Sequence, residues 1–386
     1  MKKILFLLLI FTIIQAQDES TGKHYKAIPL NEFESSVRHW YFIDDGEHII
    51  KAVENQQRYD STEITKIADN IILFQKNDGG WPKNYDMQAI LTPEQYKIIE
   101  ASKDDETSTF DNTTTYSHIR YLARVYEQTK IDKYKEAAIR GLKFTIEAQY
   151  DNGGWPQYFP DTHGYRKYIT YNDGAMIGIM QMLKSIVDGS SEYSFLDEDL
   201  RKELKKSYEK GIECILNTQI EENGVLTAWC QQHDNIDLHP QNARTFEPAS
   251  ICNRESAEIV LFLMSIENPS PRVIKAVESA VKWFEDSKIY GIRTKWVQAP
   301  EEDMLYRSRS DRDRIVVKDS TAPPIWTRFY ELKTHTPIFC RREGNIVYSL
   351  AEVERERRIG YAWYVYDPQW VLDGYPEWKK KYLPAK

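Results

Sequence analysis

The sequence predicts an all-α fold of stacked helical hairpins, and three observations carry that prediction. Gln75-Lys76-Asn77-Asp78-Gly79-Gly80-Trp81-Pro82 is nearly repeated 74 residues later as Gln149-Tyr150-Asp151-Asn152-Gly153-Gly154-Trp155-Pro156. A worn third copy surrounds Gln219, where Gly211 takes the place of Gly141, Ile212 of Leu142 and Leu216 of Ile146, before Gly224 and Trp229. A fourth is read from Ala280 to Phe284 followed by Gly291 and Trp296, which sets tryptophans at 81, 155, 229 and 296, at intervals of 74, 74 and 67. That period is one helical hairpin plus a loop, and a hairpin of this kind cannot bury its apolar face alone, so neighbours must stack. The expected architecture is an (α/α) toroid, with an inner ring of helices inside an outer one.

In chain order, residues 1–17 place Lys2 and Lys3 before the apolar run Ile4 to Ile14 and a Gln-Ala-Gln end, the layout of a secretory signal peptide. The run is too short to span a bilayer, so the mature chain is expected to be exported, periplasmic or secreted, without a membrane span and monomeric. Residues 18–60 are expected to form an N-terminal strap and 61–386 the helical domain. Ile64, Ile67, Ala68, Ile71 and Ile72 recur at the spacing of one buried helical face. Three later helices have the same signature: Tyr116, Ile119, Leu122 and Ala123; Met176, Ile177, Met180 and Leu183; Ala257, Val260, Leu261 and Met264. The Gly-Gly pairs stop helices, and the tryptophans after them fit as plugs between hairpins.

The net charge of −8 argues against nucleic acid and against any polyanion held by bulk charge. A polyanionic substrate would need local arginines or a bound cation. Cys214, Cys230, Cys252 and Cys340 lack metal-ligand spacing, and no disulfide can be assigned from them. Aromatic residues make up 13% of the chain, as suits sugar stacking as well as core packing.

The segments expected to open the inner helices share a pattern. They are Thr109-Phe110-Asp111-Asn112, Thr170-Tyr171-Asn172-Asp173, Arg244-Thr245-Phe246-Glu247 and Trp326-Thr327-Arg328-Phe329. Helix capping explains any one of the Asp and Asn residues, and surface ion pairing explains either arginine. Two acid-amide pairs and two arginines at one rim exceed what capping requires. A donor set of Asp111, Asn112, Asn172 and Asp173 is all oxygen, which favours Ca²⁺ over zinc. Arg307, Arg309, Arg312, Arg314 and Lys318, and separately Arg341 and Arg342, read equally as solvated charge or as subsites for a polyuronate.

Taken with Phe110-Asp111-Asn112-Thr113, Ile169-Thr170-Tyr171-Asn172-Asp173-Gly174, Ala243-Arg244-Thr245-Phe246-Glu247 and Ile325-Trp326-Thr327-Arg328-Phe329-Tyr330, the chain resembles the pectate lyases of polysaccharide lyase family ten, the pectic acid lyase family. The resemblance runs from about residue 60 to the end. It implies a lyase catalytic domain that cleaves α-1,4-polygalacturonate or oligogalacturonate by Ca²⁺-assisted β-elimination, giving 4,5-unsaturated products. It also implies Arg328 as the Brønsted base, Asp111, Asn112 and Asp173 around the metal, and Arg244 at a substrate carboxylate. Asn172, Glu247, Arg341 and Arg342 are implied as further substrate contacts. Gly174 stands where relatives carry a second acid, which leaves one outer contact without a counterpart. If Arg328 is not the base, Lys318 or His335 becomes the candidate. A glycoside hydrolase using Asp111 and Asp173, or a non-catalytic glycan-binding protein, is the alternative on the same scaffold.

Overall fold

The computed structural model describes residues 25–305 and 309–383; the expected signal peptide and Arg307 lie outside the described residues. The helices are α1 (Glu34–Phe42), α2 (Ile64–Phe74), α3 (Pro93–Ala101), α4 (Tyr116–Thr129), α5 (Asp132–Glu147), α6 (Ala175–Val187), α7 (Glu198–Asn217), α8 (Asn253–Met264), α9 (Pro271–Asp286), α10 (Arg355–Gly360) and α11 (Asp367–Tyr382). The repeat is realised as hairpins α4/α5, α6/α7 and α8/α9. Their first helices pack side by side, as do their second helices. Helix α6 is apolar on nearly every face and buries Met176, Ile177, Met180 and Leu183 between its neighbours, as a helix held in the middle layer must. Two of the outer helices, α7 and α9, start on side-chain caps: Asp197 accepts from the Leu200 amide at 2.8 Å, and Ser270 accepts from that of Val273 ahead of a first-turn proline.

Each Gly-Gly-Trp loop is a fastening between one hairpin and the next. The Gln75 amide donates to the Gly79 and Ala137 carbonyls at 2.8 and 3.0 Å, Gln149 to those of Gly153 and Ser207 at 2.9 Å each, and Gln219 to those of Thr227 and Ala276 at 3.0 Å each. One side chain thus satisfies its own loop and a carbonyl of the following outer helix. The indoles of Trp81, Trp155 and Trp229 donate back to the Ile71, Thr145 and Ile215 carbonyls at 2.7–2.8 Å, freeing no buried N–H. Trp81 and Trp155 press on Gly141 and Gly211, where a Cβ would stand 2.7 and 3.1 Å from the rings.

Two expectations are corrected. Helix accounts for about 45% of the chain and strand for 14%, so the molecule is mixed α/β and not the expected all-α toroid. The strands arise in the segments between helices: strands 346–347, 337–340, 329–330 and 251–252 form one antiparallel sheet, and 326–327 pairs with 364–365. All of these except 337–340 are two residues long, and a two-residue strand has no period to count. The fourth repeat tryptophan is also Trp326 rather than Trp296. Its indole donates to the Phe284 carbonyl at 2.9 Å, as its three counterparts do to theirs. A long hairpin, Ile292–Glu302 against Ser310–Lys318, is inserted ahead of it and carries Trp296 to the surface between Arg312 and Arg314. The four cysteines are free and buried. Among the described residues no helix is long and apolar enough to cross a membrane.

The fastening predicts an asymmetry between two glycines. Gly153 has φ +92° and a Cβ there would meet the Lys210 carbonyl oxygen at 2.1 Å, whereas Gly224 has φ +79° with nothing within 4 Å. Gly153→Ala should therefore cost roughly 3 kcal/mol and Gly224→Ala roughly 1 kcal/mol, read from urea denaturation midpoints. Equal losses would show that the close approach to α7 is not what the glycine provides.

Candidate active site

The repeat delivers side chains to one place through two registers. The amides of Thr109, Thr170 and Cys252 donate to the carbonyls of Trp81, Trp155 and Trp229, and the next amides, Phe110, Tyr171 and Asn253, donate to those of Gln157, Gln231 and Arg328. The rim residues of each repeat are thereby stitched to the residue two after the tryptophan of the next. Those residues are Gln157, Gln231 and Arg328, and the first repeat supplies Lys83 at the same offset. Arg328 is thus the fourth-repeat counterpart of Lys83, held between the short strands 326–327 and 329–330 rather than at a helix start.

The capping explanation for the rim acids fails. Neither α4 nor α6 has a side-chain cap, and the turns that precede them are left-handed: φ is 51° at Asn112, 63° at Thr113, 62° at Thr115 and 50° at Asp173. Non-glycine residues in this region carry strain of about 1–3 kcal/mol each, and such strain concentrates at functional sites. Asp111, Asn112 and Asn172 are buried, and nothing in local helix formation requires them there.

The charges of the site are mostly paired and buried. Lys83 donates to Asp111 at 2.7 Å; burial raises the carboxyl's affinity for a proton, but the ammonium outweighs it and holds Asp111 below its ordinary value. The other Asp111 oxygen, Oδ1, has no partner, nor does Oε1 of Gln157. Burial, and after it the Asp111 charge, push Asp173 above its ordinary value against the pull of Arg328, Arg254 and Arg244. Arg244 grips Glu247 with two bonds of 2.8 and 2.5 Å, and Tyr361 donates to the same carboxylate at 2.8 Å. That grip lifts Arg244 above its ordinary value despite burial and depresses Glu247. Arg328, 3% exposed, donates to Asn172 Oδ1 at 2.7 Å and pairs with Glu255, and lies over the Tyr361 ring at 4.5 Å. Burial lowers its pKa, but Glu255, Tyr361, Cys252 and Asp173 together reverse this and the guanidinium is held well above its ordinary value. Its Nε is buried without a partner.

Asn112, Asp173, Arg244 and Arg328 line one hollow of about 930 Å³, together with Arg254, Arg342 and Arg357. A smaller recess of about 90 Å³ at one end adds Asp111, Asn172 and Glu247 to the wall. Of the expected residues, Arg341 is not brought there; it pairs with Glu354 at 2.8 Å on the surface. Arg342 reaches the hollow and bonds Glu356 at 2.6 Å. Lys318 ends the long hairpin, and His335 lies elsewhere against Trp283. Sequence reasoning missed Lys83, Arg254, Glu255 and Tyr361. It took Arg244–Glu247 as the start of the third inner helix, whereas α8 starts at Asn253 and Arg254-Glu255 occupies that place. Reading the repeat from tryptophan to tryptophan would have found Lys83, since the offset that gives Arg328 from Trp326 gives Lys83 from Trp81.

The cleft is walled by paired arginines and carboxylates in a protein of net charge −8. A family model of pectic acid lyases matches residues 75–372, and the chain belongs to that family, as a pectate lyase. A family 10 polysaccharide lyase from Cellvibrio cellulosa superposes with a TM-score of 0.68 at 25% identity, over 89% of this chain and 99% of that one. A point mutant of the family 10 lyase from that organism, in complex with trigalacturonic acid, superposes with a TM-score of 0.69 at 26% identity, over 82% of this chain and 96% of that one. No curated protein matches the chain in sequence.

One buried carboxyl behind the site gives a pH signature. Burial, then Glu255, raise Glu258 from 4.5 to about 7, with Asp173 and Asp367 adding to the rise and Arg254 opposing it. The fold favours the protonated form, so this contribution is fully present below pH 4.5 and lost as pH rises through about 7. Glu258→Gln should therefore stabilise chelator-treated protein by up to about 3 kcal/mol at about pH 8 and far less at about pH 5, by thermal unfolding. An equal gain at both pH values would mean that the carboxyl does not titrate between them.

Proposed function

We propose that the protein cleaves polygalacturonate or oligogalacturonate by β-elimination, with Arg328 as the Brønsted base and a Ca²⁺ ion at the Asp111–Asp173 side of the cleft. The observation that supports this reading most is convergence: Arg328, Arg244, Asn112 and Asp173, from four separate stretches of chain, face one hollow. In the reaction the C5–H bond breaks and its proton passes to the base. The electron pair forms C4=C5, and the C4–O bond breaks with its pair leaving on the glycosidic oxygen, which is protonated. The new non-reducing end is 4,5-unsaturated.

The donors fit a hard cation. Asp111 Oδ1 and Gln157 Oε1 are buried oxygens without partners, and Asp173 stands near enough to Asp111 for its charge to add to the burial that raises the Asp173 proton affinity. Among the described residues no cluster of three or more His, Cys, Asp or Glu is placed to hold a metal; Asp111, Asp173 and Asn112 would hold the cation together with the substrate carboxylate. Bound there, Ca²⁺ would draw charge from that carboxylate and acidify the C5 proton.

The chain's own residues do the rest. Arg244, oriented by Glu247 and Tyr361, presents a fixed guanidinium for a second uronate carboxylate, the geometry that two parallel N–H bonds favour. Asn172 and Glu255 fix Arg328 in one orientation. Glu255 also opposes proton loss from Arg328, so the base becomes available only as hydroxide concentration rises and as cation and substrate dilute the negative field around it. The reading includes export to the periplasm or medium and action as a monomer.

Mixing the protein with polygalacturonate should give ultraviolet absorbance from the unsaturated ends that climbs with Ca²⁺, stops with chelator and rises in rate into the alkaline range. Arg328→Ala should lose at least about a thousandfold in kcat, and Arg328→Lys should not restore it, because the shorter lysine side chain does not carry its nitrogen to the place of Arg328 Nη2 between Asn172 and Glu255. A rate maximum at acidic pH would remove Arg328 as base. A hydrolase would cleave without the absorbance, and a binding protein would do neither.

A further inference from the structure

The segment Glu34–Glu47 precedes the family-matched region, which begins at residue 75, yet it supplies His39, Asp45 and Glu47 to the walls of both the hollow and the recess. It is held as a bar across two repeats. Asp45 accepts two bonds of 3.0 Å from Asn84, the residue after Lys83, in the first-repeat loop. Glu47 bonds Arg166 at 2.8 Å and accepts from Tyr158, the residue after Gln157, at 3.3 Å, in the second-repeat loop. The rest is anchored below: Ser35 to Asn112, Ser36 to the backbone of Tyr85, Tyr41 to Asp86 and Trp40 to the Ile50 carbonyl. The segment thus ties the first-repeat loop to the second-repeat loop where it lines the cleft wall.

The charges of the wall are those a stop would use. The bar brings Asp45 and Glu47 to the hollow, with its own Arg38 and the nearby Lys83 beside them, and Glu47 pairs with Arg166. Arg244, Arg254, Arg328, Arg342 and Arg357 line the same hollow. A chain bearing one carboxylate per sugar is drawn to those arginines and disfavoured beside Asp45 and Glu47.

We propose that Glu34–Glu47 is a stop that closes one end of the uronate cleft, so that the enzyme releases short unsaturated oligogalacturonates from a chain end instead of cutting polymers internally. The inference rests on the lyase reading above and deepens it. Asp45 and Glu47 then face the terminal sugar at that side of the larger hollow.

The test follows polygalacturonate digestion by viscosity and by ultraviolet absorbance together, with chromatography of early products. The wild-type protein should give short unsaturated oligomers from the first time points with viscosity falling slowly per bond cut. The Asp45→Asn/Glu47→Gln double variant and Glu47→Ala, with folding checked by circular dichroism, should raise kcat/KM on polymer relative to trigalacturonate by about fivefold and steepen the viscosity loss per bond, as expected when repulsive charges at a binding surface are removed. Rapid viscosity collapse with long early products from the wild type would overturn the stop. So would an unchanged polymer-to-trimer ratio in both variants. Flat absorbance with every substrate is a distinct result: it overturns the lyase chemistry, and the stop with it.

Discussion

Everything in this molecule hangs on the way one hairpin is fastened to the next. A glutamine amide bridges its own loop to a carbonyl of the following outer helix, a glycine lets the loop approach that helix closely, and a tryptophan fills the gap while spending its N–H on the preceding helix. Alanine at Gly153 would collide with Lys210, and a smaller ring at Trp155 would leave a void against Gly211. Because the fastening recurs, the residues immediately after each tryptophan inherit a fixed position. The site is assembled from that inheritance.

The consequence is electrostatic. Lys83 and Arg328 sit at equivalent positions and each is buried against a carboxylate, Asp111 for one and Glu255 for the other. A buried pair that loses a partner costs about 3–5 kcal/mol, so these contacts lock the side chains in place whether or not they add net stability. Asp173 is the exception, an acid whose proton affinity burial and Asp111 raise more than Arg328, Arg254 and Arg244 lower it. A scaffold that binds its own positive charges this tightly and leaves one carboxylate short of them is arranged to take up further charge, from a cation and from a substrate that brings its own carboxylates.

Much of the site was legible because repetition is visible in a string of letters. Two acid-amide pairs at matching offsets identified Asp111, Asn112, Asn172 and Asp173, and the resemblance around Trp326 identified Arg328. Glu255, Lys83 and Tyr361 were not legible. Glu255 reads as a helical surface charge until strand pairing sets Asn253 against the Arg328 carbonyl. Tyr361 comes from a segment with no repeat signature and reaches Glu247 only through the pairing of 364–365 with 326–327. Trp296 misled because the inserted hairpin carries a tryptophan near the expected interval.

By itself the sequence determined the helical hairpins, their order and the loops that join them, because helix periodicity, glycine stops and the tryptophan repeat are local or regularly spaced properties. The tertiary structure decided that the molecule is mixed α/β, that Arg328 is presented by strands, that Arg341 stays outside while Lys83 and Glu255 come in, and that an N-terminal segment bars one end of the cleft. Those outcomes depend on backbone pairing between residues far apart in the chain. Two-residue strands and single ion pairs have no period, and so leave no pattern for a sequence to display.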